Sequence, residues 1–255
     1  MALVAGSLSR ERALSLTERF LAERFADADF AFVAGSIMRG TGTPSSDIDL
    51  VVLHSALPHA HRRSEVFEGV PFEALVHDEG TLRWFLEADV KAGRPVLIRM
   101  VTEGIPIGPR PQRADELRRE TETLLVKGPP QLDQDALDRM RYAISSLLTD
   151  LADERPEFER VAIGSALYQA LGDFILRSNG QWSGAGKWLP RQMTAFDPVL
   201  GDAFVEAFDM LFREGEAKLV LDCAEQVFAA HGGLLFDGYR ADALPEWRKW
   251  GRSAG

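Results

Sequence analysis

Two aspartates one residue apart, Asp47 and Asp49, follow a Gly35-Ser36 pair in the run FVAGSIMRGTGTPSSDIDLVVL. Carboxylates at i and i+2 at the start of a strand point to one face. There they repel each other unless a cation lies between them. A Gly-Ser turn offers the complementary chemistry, backbone N–H groups and a hydroxyl that suit a phosphate. Hard oxygen ligands beside a phosphate cradle describe a Mg²⁺–nucleotide site, since Mg²⁺ takes one or two carboxylates and fills its shell with phosphate oxygens and water. The competing reading is an Asx-rich loop without chemistry, because Asp pairs are common in turns. The combination of turn, spacing and flanking apolar runs argues against it.

Those runs must position the site. Phe32-Val33-Ala34 and Leu50 to Leu53 read as two short buried strands, the first delivering Gly35-Ser36 into a tight turn. Upstream, Leu14, Leu16, Phe20, Leu21 and Phe25 give the period of an amphipathic helix from Ser9, a plausible N-cap, to about Ala26. Downstream, Leu57–Arg63 is a polar excursion, and Val66–Val76 is a β-rich stretch broken by Gly69-Val70-Pro71. Helices are predicted over Thr81–Val90, Val96–Glu103 and Gln112–Leu125. The second of these has Pro95 before it and Gly104 after it, which favours helix over strand.

With Gly35, Ser36, Gly40, Ser46, Asp47 and Asp49 at matching positions, residues 30–77 resemble the polymerase-β-type nucleotidyltransferase superfamily. The resemblance implies a third carboxylate on a neighbouring strand, and Glu73 in Val70–Val76 is the best match, with Asp78 as the fallback. A charge inside an apolar strand is costly unless it meets a cation; the alternative is an edge-strand residue facing water. Asp47, Asp49 and Glu73 are then the expected catalytic and metal-binding residues for two Mg²⁺ ions. Gly35, Ser36, Arg39 and Ser46 are the expected contacts to an NTP, ATP being the first choice.

Lys127-Gly128-Pro129-Pro130 marks a boundary, giving domains at 1–127 and 131–255. Beyond it the pattern is helical: Asp135–Leu151, Pro156–Ser178, Lys187–Phe196, Asp197–Arg213 and Gly215–His231. The expected fold class is α+β, an N-terminal αβ domain with a small mixed sheet followed by an all-helical bundle. Small-substrate members of the resembled superfamily share that plan. Gln181–Arg191 is Gly-rich, then aromatic and basic. It is not a Walker A loop, because Trp188 stands where Ser or Thr is required. Its Gly-Lys-Trp-Leu segment is similar to one in bacterial small-molecule members. Lys187 and Arg191, i,i+4 neighbours, are therefore expected to reach a triphosphate across an interdomain cleft, unless the tryptophans simply pack the bundle. Asp173 and Glu157 are weaker candidates for a base or for a grip on the acceptor. The HxH of His59 and His61 lacks a third ligand nearby, and the Trp247–Trp250 tail is expected to dock its rings on the bundle.

Composition narrows the partners. The net charge is −10, with no long Lys/Arg stripe, which argues against a large nucleic-acid partner. An acidic surface suits a cationic small molecule, or merely keeps the protein soluble. The one cysteine, Cys223, rules out an intrachain disulfide and fits a reducing cytoplasm. The N-terminal run has charges where a signal peptide is apolar, and no run is long enough to span a bilayer, so no membrane association is expected.

The resemblance implies an antibiotic-resistance type of enzyme, moving AMP from ATP to a hydroxyl of an aminoglycoside or lincosamide and releasing pyrophosphate. Two alternatives stay open: a protein-modifying nucleotidyltransferase of the antitoxin kind, and a non-catalytic nucleotide-binding module. A monomer and a homodimer are both compatible with the sequence.

Overall fold

The computed structural model describes residues 8–243. The N-terminal residues 1–7 and the Trp247–Trp250 tail lie outside them. The chain divides into two compact units, Met1–Pro130 and Gln131–Gly255.

The first unit runs α1 (Arg10–Arg24), β1 (Phe30–Ala34), α2 (Gly35–Met38), β2 (Ile48–His54), β3 (His61–Phe67), β4 (Val70–Asp78), α3 (Glu79–Ala92), α4 (Val96–Glu103), β5 (Ile105–Ile107) and α5 (Pro111–Lys127). The sheet order is β3-β4-β2-β1-β5. β2 and β4 are parallel, and every other pair is antiparallel. The sheet is therefore mixed and the class α+β.

Both faces of the central strands are covered, which is why β2 reads as a nearly continuous apolar run. On one face Ile48, Leu50, Val52, Phe72, Ala74 and Val76 pack with Ala13, Leu16 and Phe20 of α1. Phe20 stacks on Phe72 at 4.2 Å between ring centroids, and burial of each such ring contributes about 1.5–3 kcal/mol. The deepest α1 positions are Ala13, Leu16, Thr17 and Phe20. Leu14 and Leu21 of the predicted stripe lie at its margin. The helices α3, α4 and α5 contact the sheet through β4, β1 and β2. Gly104, at the end of α4, comes so close to β1 that an added Cβ would stand 2.8 Å from the Cβ of Phe32.

Helix ends follow local chemistry. Ser9 caps α1, its hydroxyl accepting from the Arg12 N–H at 3.3 Å. Asp78 caps α3 through a reciprocal box with Thr81. Two differences from the sequence reading stand out. The strand β3 begins at His61, inside the stretch read as a polar excursion, because its exposed face carries Arg62 and Ser64 while β4 supplies the pairing. The strand β5 was not foreseen: it is three residues long, contains Pro106, and exists by pairing with β1.

The second unit contains α6 (Gln134–Ala152), α7 (Glu157–Ser178), α8 (Trp188–Phe196), α9 (Pro198–Glu214) and α10 (Lys218–Ala229). Its core joins Leu148, Leu167, Phe174, Leu189, Phe204, Phe208, Val220 and Phe228. Cys223 packs at the margin of that core, and burial raises its thiol pKa. The last helix starts at Lys218 rather than Gly215. Gly215, at φ +74°, takes the left-handed position that ends α9 and gives its N–H to Leu211 O at 3.1 Å. Among the described residues no helix is long and apolar enough to cross a membrane.

Candidate active site

Three strands place the acidic residues. Asp49 pairs with Ala34 of β1 on one side and with Glu73 of β4 on the other. The row Ala34–Asp49–Glu73 therefore runs straight across the sheet, and paired side chains emerge on the same face of neighbouring strands about 4.8 Å apart. Asp47 lies two residues before Asp49, just ahead of β2, and the strand period directs it to that side too. Asp47, Asp49 and Glu73 are all partly exposed, while Ile48, Phe72 and Leu50 between and beside them are fully buried.

Glu73 is not on an edge, because β4 lies between β3 and β2. Its carboxylate pairs with Arg62 of β3 at 3.4 Å. Asp78, the fallback, is committed elsewhere: it accepts from the N–H of Thr81 at 2.8 Å and of Leu57 at 3.3 Å. The Thr81 N–H and hydroxyl hold its carboxyl below the usual range. Asp78 is thus a helix cap at the far end of β4 from Glu73, not a third site carboxylate.

Opposite the carboxylates is the turn at Gly35. Its φ of +91° is a conformation that L side chains rarely adopt, and an added Cβ would collide with Oδ2 of Asp49 and stand 3.0 Å from its Cγ. The backbone of the turn and the carboxylate of Asp49 are in direct contact for want of that one carbon.

The loop from 40 to 46 then folds back on α2. Thr41 donates its N–H to Ser36 O at 2.9 Å, and Gly42 closes so tightly on Ile37 that a Cβ there would lie 3.0 Å from Ile37 Cγ1. Ser46 ties the loop: its hydroxyl oxygen accepts from Ser36 Oγ at 2.9 Å and from the Thr43 N–H at 2.8 Å. Ser46 is expected from the sequence to contact the nucleotide. Its observed bonds are to the loop, and they hold the Ser36 hydroxyl beside it.

Arg39, which ends α2, extends to Glu103 at the end of α4, Nη1 to Oε2 at 3.3 Å. Glu103 also pairs with Arg99 one turn earlier at 2.9 Å. Sequence reasoning missed both Glu103 and Arg62 as neighbours of the site. Glu103 lies 64 positions from Arg39 with no local pattern to connect them. Arg62 was hidden in the stretch read as a loop.

In the second unit, Lys187 is exposed immediately before α8, and Arg191 places its guanidinium over the Trp188 ring at 5.1 Å from the centroid. Trp182 and Ser183 are buried. Ser183 donates its hydroxyl to Asp173, and Gln169 donates to Gly184 O at 2.9 Å, so this segment is fastened to α7. Asp173 thereby acts as a structural acceptor, and Glu157 is the first residue of α7.

Among the described residues no group of three or more His, Cys, Asp or Glu side chains is gathered tightly enough to hold a metal ion as the side chains stand. The donor set nonetheless suits a hard divalent cation: Asp47, Asp49 and Glu73 offer only carboxylate oxygens from one side of two paired strands.

Residues 14–122 match the family described as nucleotidyltransferase domain. No curated protein matches the chain. Among solved structures, the chain is similar to a nucleotidyltransferase-like protein from Exiguobacterium sibiricum at 13% identity and a TM-score of 0.42, over 85% of this chain and 74% of the other.

Proposed function

We propose that this chain, whose residues 14–122 match the nucleotidyltransferase domain family, is a nucleotidyltransferase of the polymerase-β type that moves AMP from ATP to a hydroxyl group of a small molecule. In this reading residues 1–127 are the catalytic domain and 131–255 the helical domain. The observation that carries it is the pairing of Asp49 with Glu73 on adjacent parallel strands, with Asp47 two residues upstream.

The reaction forms a bond from the acceptor oxygen to the α-phosphorus and breaks the bond to pyrophosphate, while the hydroxyl proton leaves. The residues of the chain must therefore hold a triphosphate, orient the acceptor and balance charge on the leaving group. Ser36, whose hydroxyl now points to Ser46, can turn it to a phosphate oxygen. Gly35, lacking a side chain, lets that turn approach the carboxylates. Arg39 supplies positive charge three residues from Ser36. Asp47, Asp49 and Glu73 would hold Mg²⁺, which when bound lowers the pKa of the acceptor hydroxyl and offsets charge at the α-phosphorus.

The net charge of −10 favours a cationic acceptor, and aminoglycosides are the first class to test, with lincosamides second. The test is Mg²⁺-dependent pyrophosphate release from each NTP, against both acceptor classes and an acceptor-free control. Release from ATP with one acceptor class supports the reading. Mg²⁺-dependent ATP binding without release on any of them would move the acceptor to a protein. Absence of nucleotide binding would overturn the proposal.

A further inference from the structure

The pair Arg39–Glu103 links two elements that the sequence does not connect. Arg39 ends the short helix that begins at Gly35-Ser36, so the backbone ties it to that turn. Glu103 ends α4 and is immobilised from three directions. Arg99 pairs with it along the helix at 2.9 Å. Gly104, next in the chain, is packed against Phe32 of β1 without space for a Cβ. Ile105 then pairs with Val33, one residue before Ala34. Glu103 is thus held at the end of α4 beside the Arg39 guanidinium, and both side chains are 29% exposed.

We infer that Glu103 is a positioning residue for nucleotide binding: it holds the Arg39 guanidinium at the turn until a triphosphate replaces it as the partner. The inference rests on the nucleotidyltransferase reading above and adds a regulator of triphosphate affinity to it. The charges explain the exchange. A triphosphate gains the Arg39 cation only by displacing a carboxylate that also repels it. The existing pair lowers the cost of keeping Arg39 ordered, because its long side chain is already restrained. It also weakens triphosphate binding by the free energy of the ion pair that must be given up. Pyrophosphate, the leaving group, meets the same competition, so Glu103 re-forming its pair with Arg39 assists its departure.

The test is calorimetric binding of Mg-ATP and of adenosine to wild type, Glu103→Gln, Arg39→Met and the double variant, with melting curves to identify folded protein. Glu103→Ala provides a second variant if Glu103→Gln fails to fold. Glu103→Gln is expected to bind Mg-ATP about two- to fivefold more tightly, the fold-change expected of one partly exposed ion pair. Adenosine affinity should not change, since the effect acts on phosphate. In the Arg39→Met background the Glu103 substitution should have a smaller effect on Mg-ATP. Steady-state kinetics should show KM for ATP falling, with kcat unchanged or lower as product leaves more slowly. Unchanged or weakened Mg-ATP binding by a folded Glu103→Gln protein would overturn the inference, as would an equal gain with and without Arg39. Failure of wild type to bind Mg-ATP would instead overturn the nucleotidyltransferase reading itself.

Discussion

The carboxylate of Asp49 occupies the space where a side chain on Gly35 would begin: a Cβ there would collide with Oδ2 and lie 3.2 Å from the Cβ of Asp49. Turn and acid come from different strands, and their contact makes a single unit of the two halves of the motif. The register explains it, since Ala34 is the partner of Asp49 and Gly35 is the next residue.

Gly35→Ala is therefore expected to damage stability and activity together. The positive φ alone costs about 1–3 kcal/mol for a residue with a Cβ, and the collision forces Asp49 to move. Melting temperature and NTP-dependent pyrophosphate release should both fall. A variant with wild-type activity would show that Asp49 need not keep its place against the turn.

Asp47→Asn and Asp49→Asn should separate function from folding. Each replaces a carboxylate by an amide of the same shape and removes one of two neighbouring negative charges, so both variants are expected to stay folded. Transfer should fall on the order of a hundredfold or more, as when a group that stabilises transition-state charge is removed. Activity retained in either variant would refute the assignment of that carboxylate to the metal.

Glu73→Gln tests the third carboxylate in the same way. Its partner Arg62 is 63% exposed, and ion pairs of that kind are worth about 0–1 kcal/mol. Stability should thus change little while Mg²⁺-dependent transfer is lost. A drop in stability with activity preserved would make Glu73 a structural partner of Arg62.

The strands that carry the motif were legible because each is an unbroken apolar run ending in residues of different chemistry. Phe32-Val33-Ala34 stops at Gly35, and Asp47-Ile48-Asp49 opens Leu50–Leu53. Glu73 was legible as a charge among Phe72, Ala74 and Val76, and the structure adds that its partner across the strands is Asp49. The helices after residue 131 were readable from period and from stops such as Asn179-Gly180. What was hidden depends on pairing between distant segments. Nothing local in Ile105-Pro106-Ile107 specifies a strand; β1 does. Nor does any spacing bring Glu103 to Arg39, since that contact follows from where α4 ends on the sheet. Asp78 could be mistaken for a site residue because a cap and a ligand look alike in sequence, and only its bonds to Thr81 and Leu57 distinguish them.

Asp89 makes the last prediction, and its sign is opposite to that of Glu65, Glu68, Asp78 and Glu79. From α3 it accepts the N–H groups of Leu97 at 2.6 Å and Ile98 at 3.1 Å, capping α4 from outside the helix. Burial raises its carboxyl from an ordinary 3.8 to about 6, outweighing the two hydrogen bonds that favour the anion. Between those values the folded chain binds more protons than the unfolded chain. The contribution of Asp89 is therefore fully present below about pH 4, declines as pH rises to about 6 and is constant above that. Asp78, Glu79 and Glu65, all lowered by hydrogen bonds or ion pairs, act in the reverse sense, contributing stability that is lost on acidification. The useful quantity is thus the difference between wild type and Asp89→Asn across pH. The amide keeps an oxygen to accept from α4 but cannot ionise. The variant is expected to gain on wild type as pH rises through this window, with the difference level at neutral pH. A difference in melting temperature that stays constant from pH 4 to 7 would show that Asp89 keeps an ordinary pKa in the folded chain.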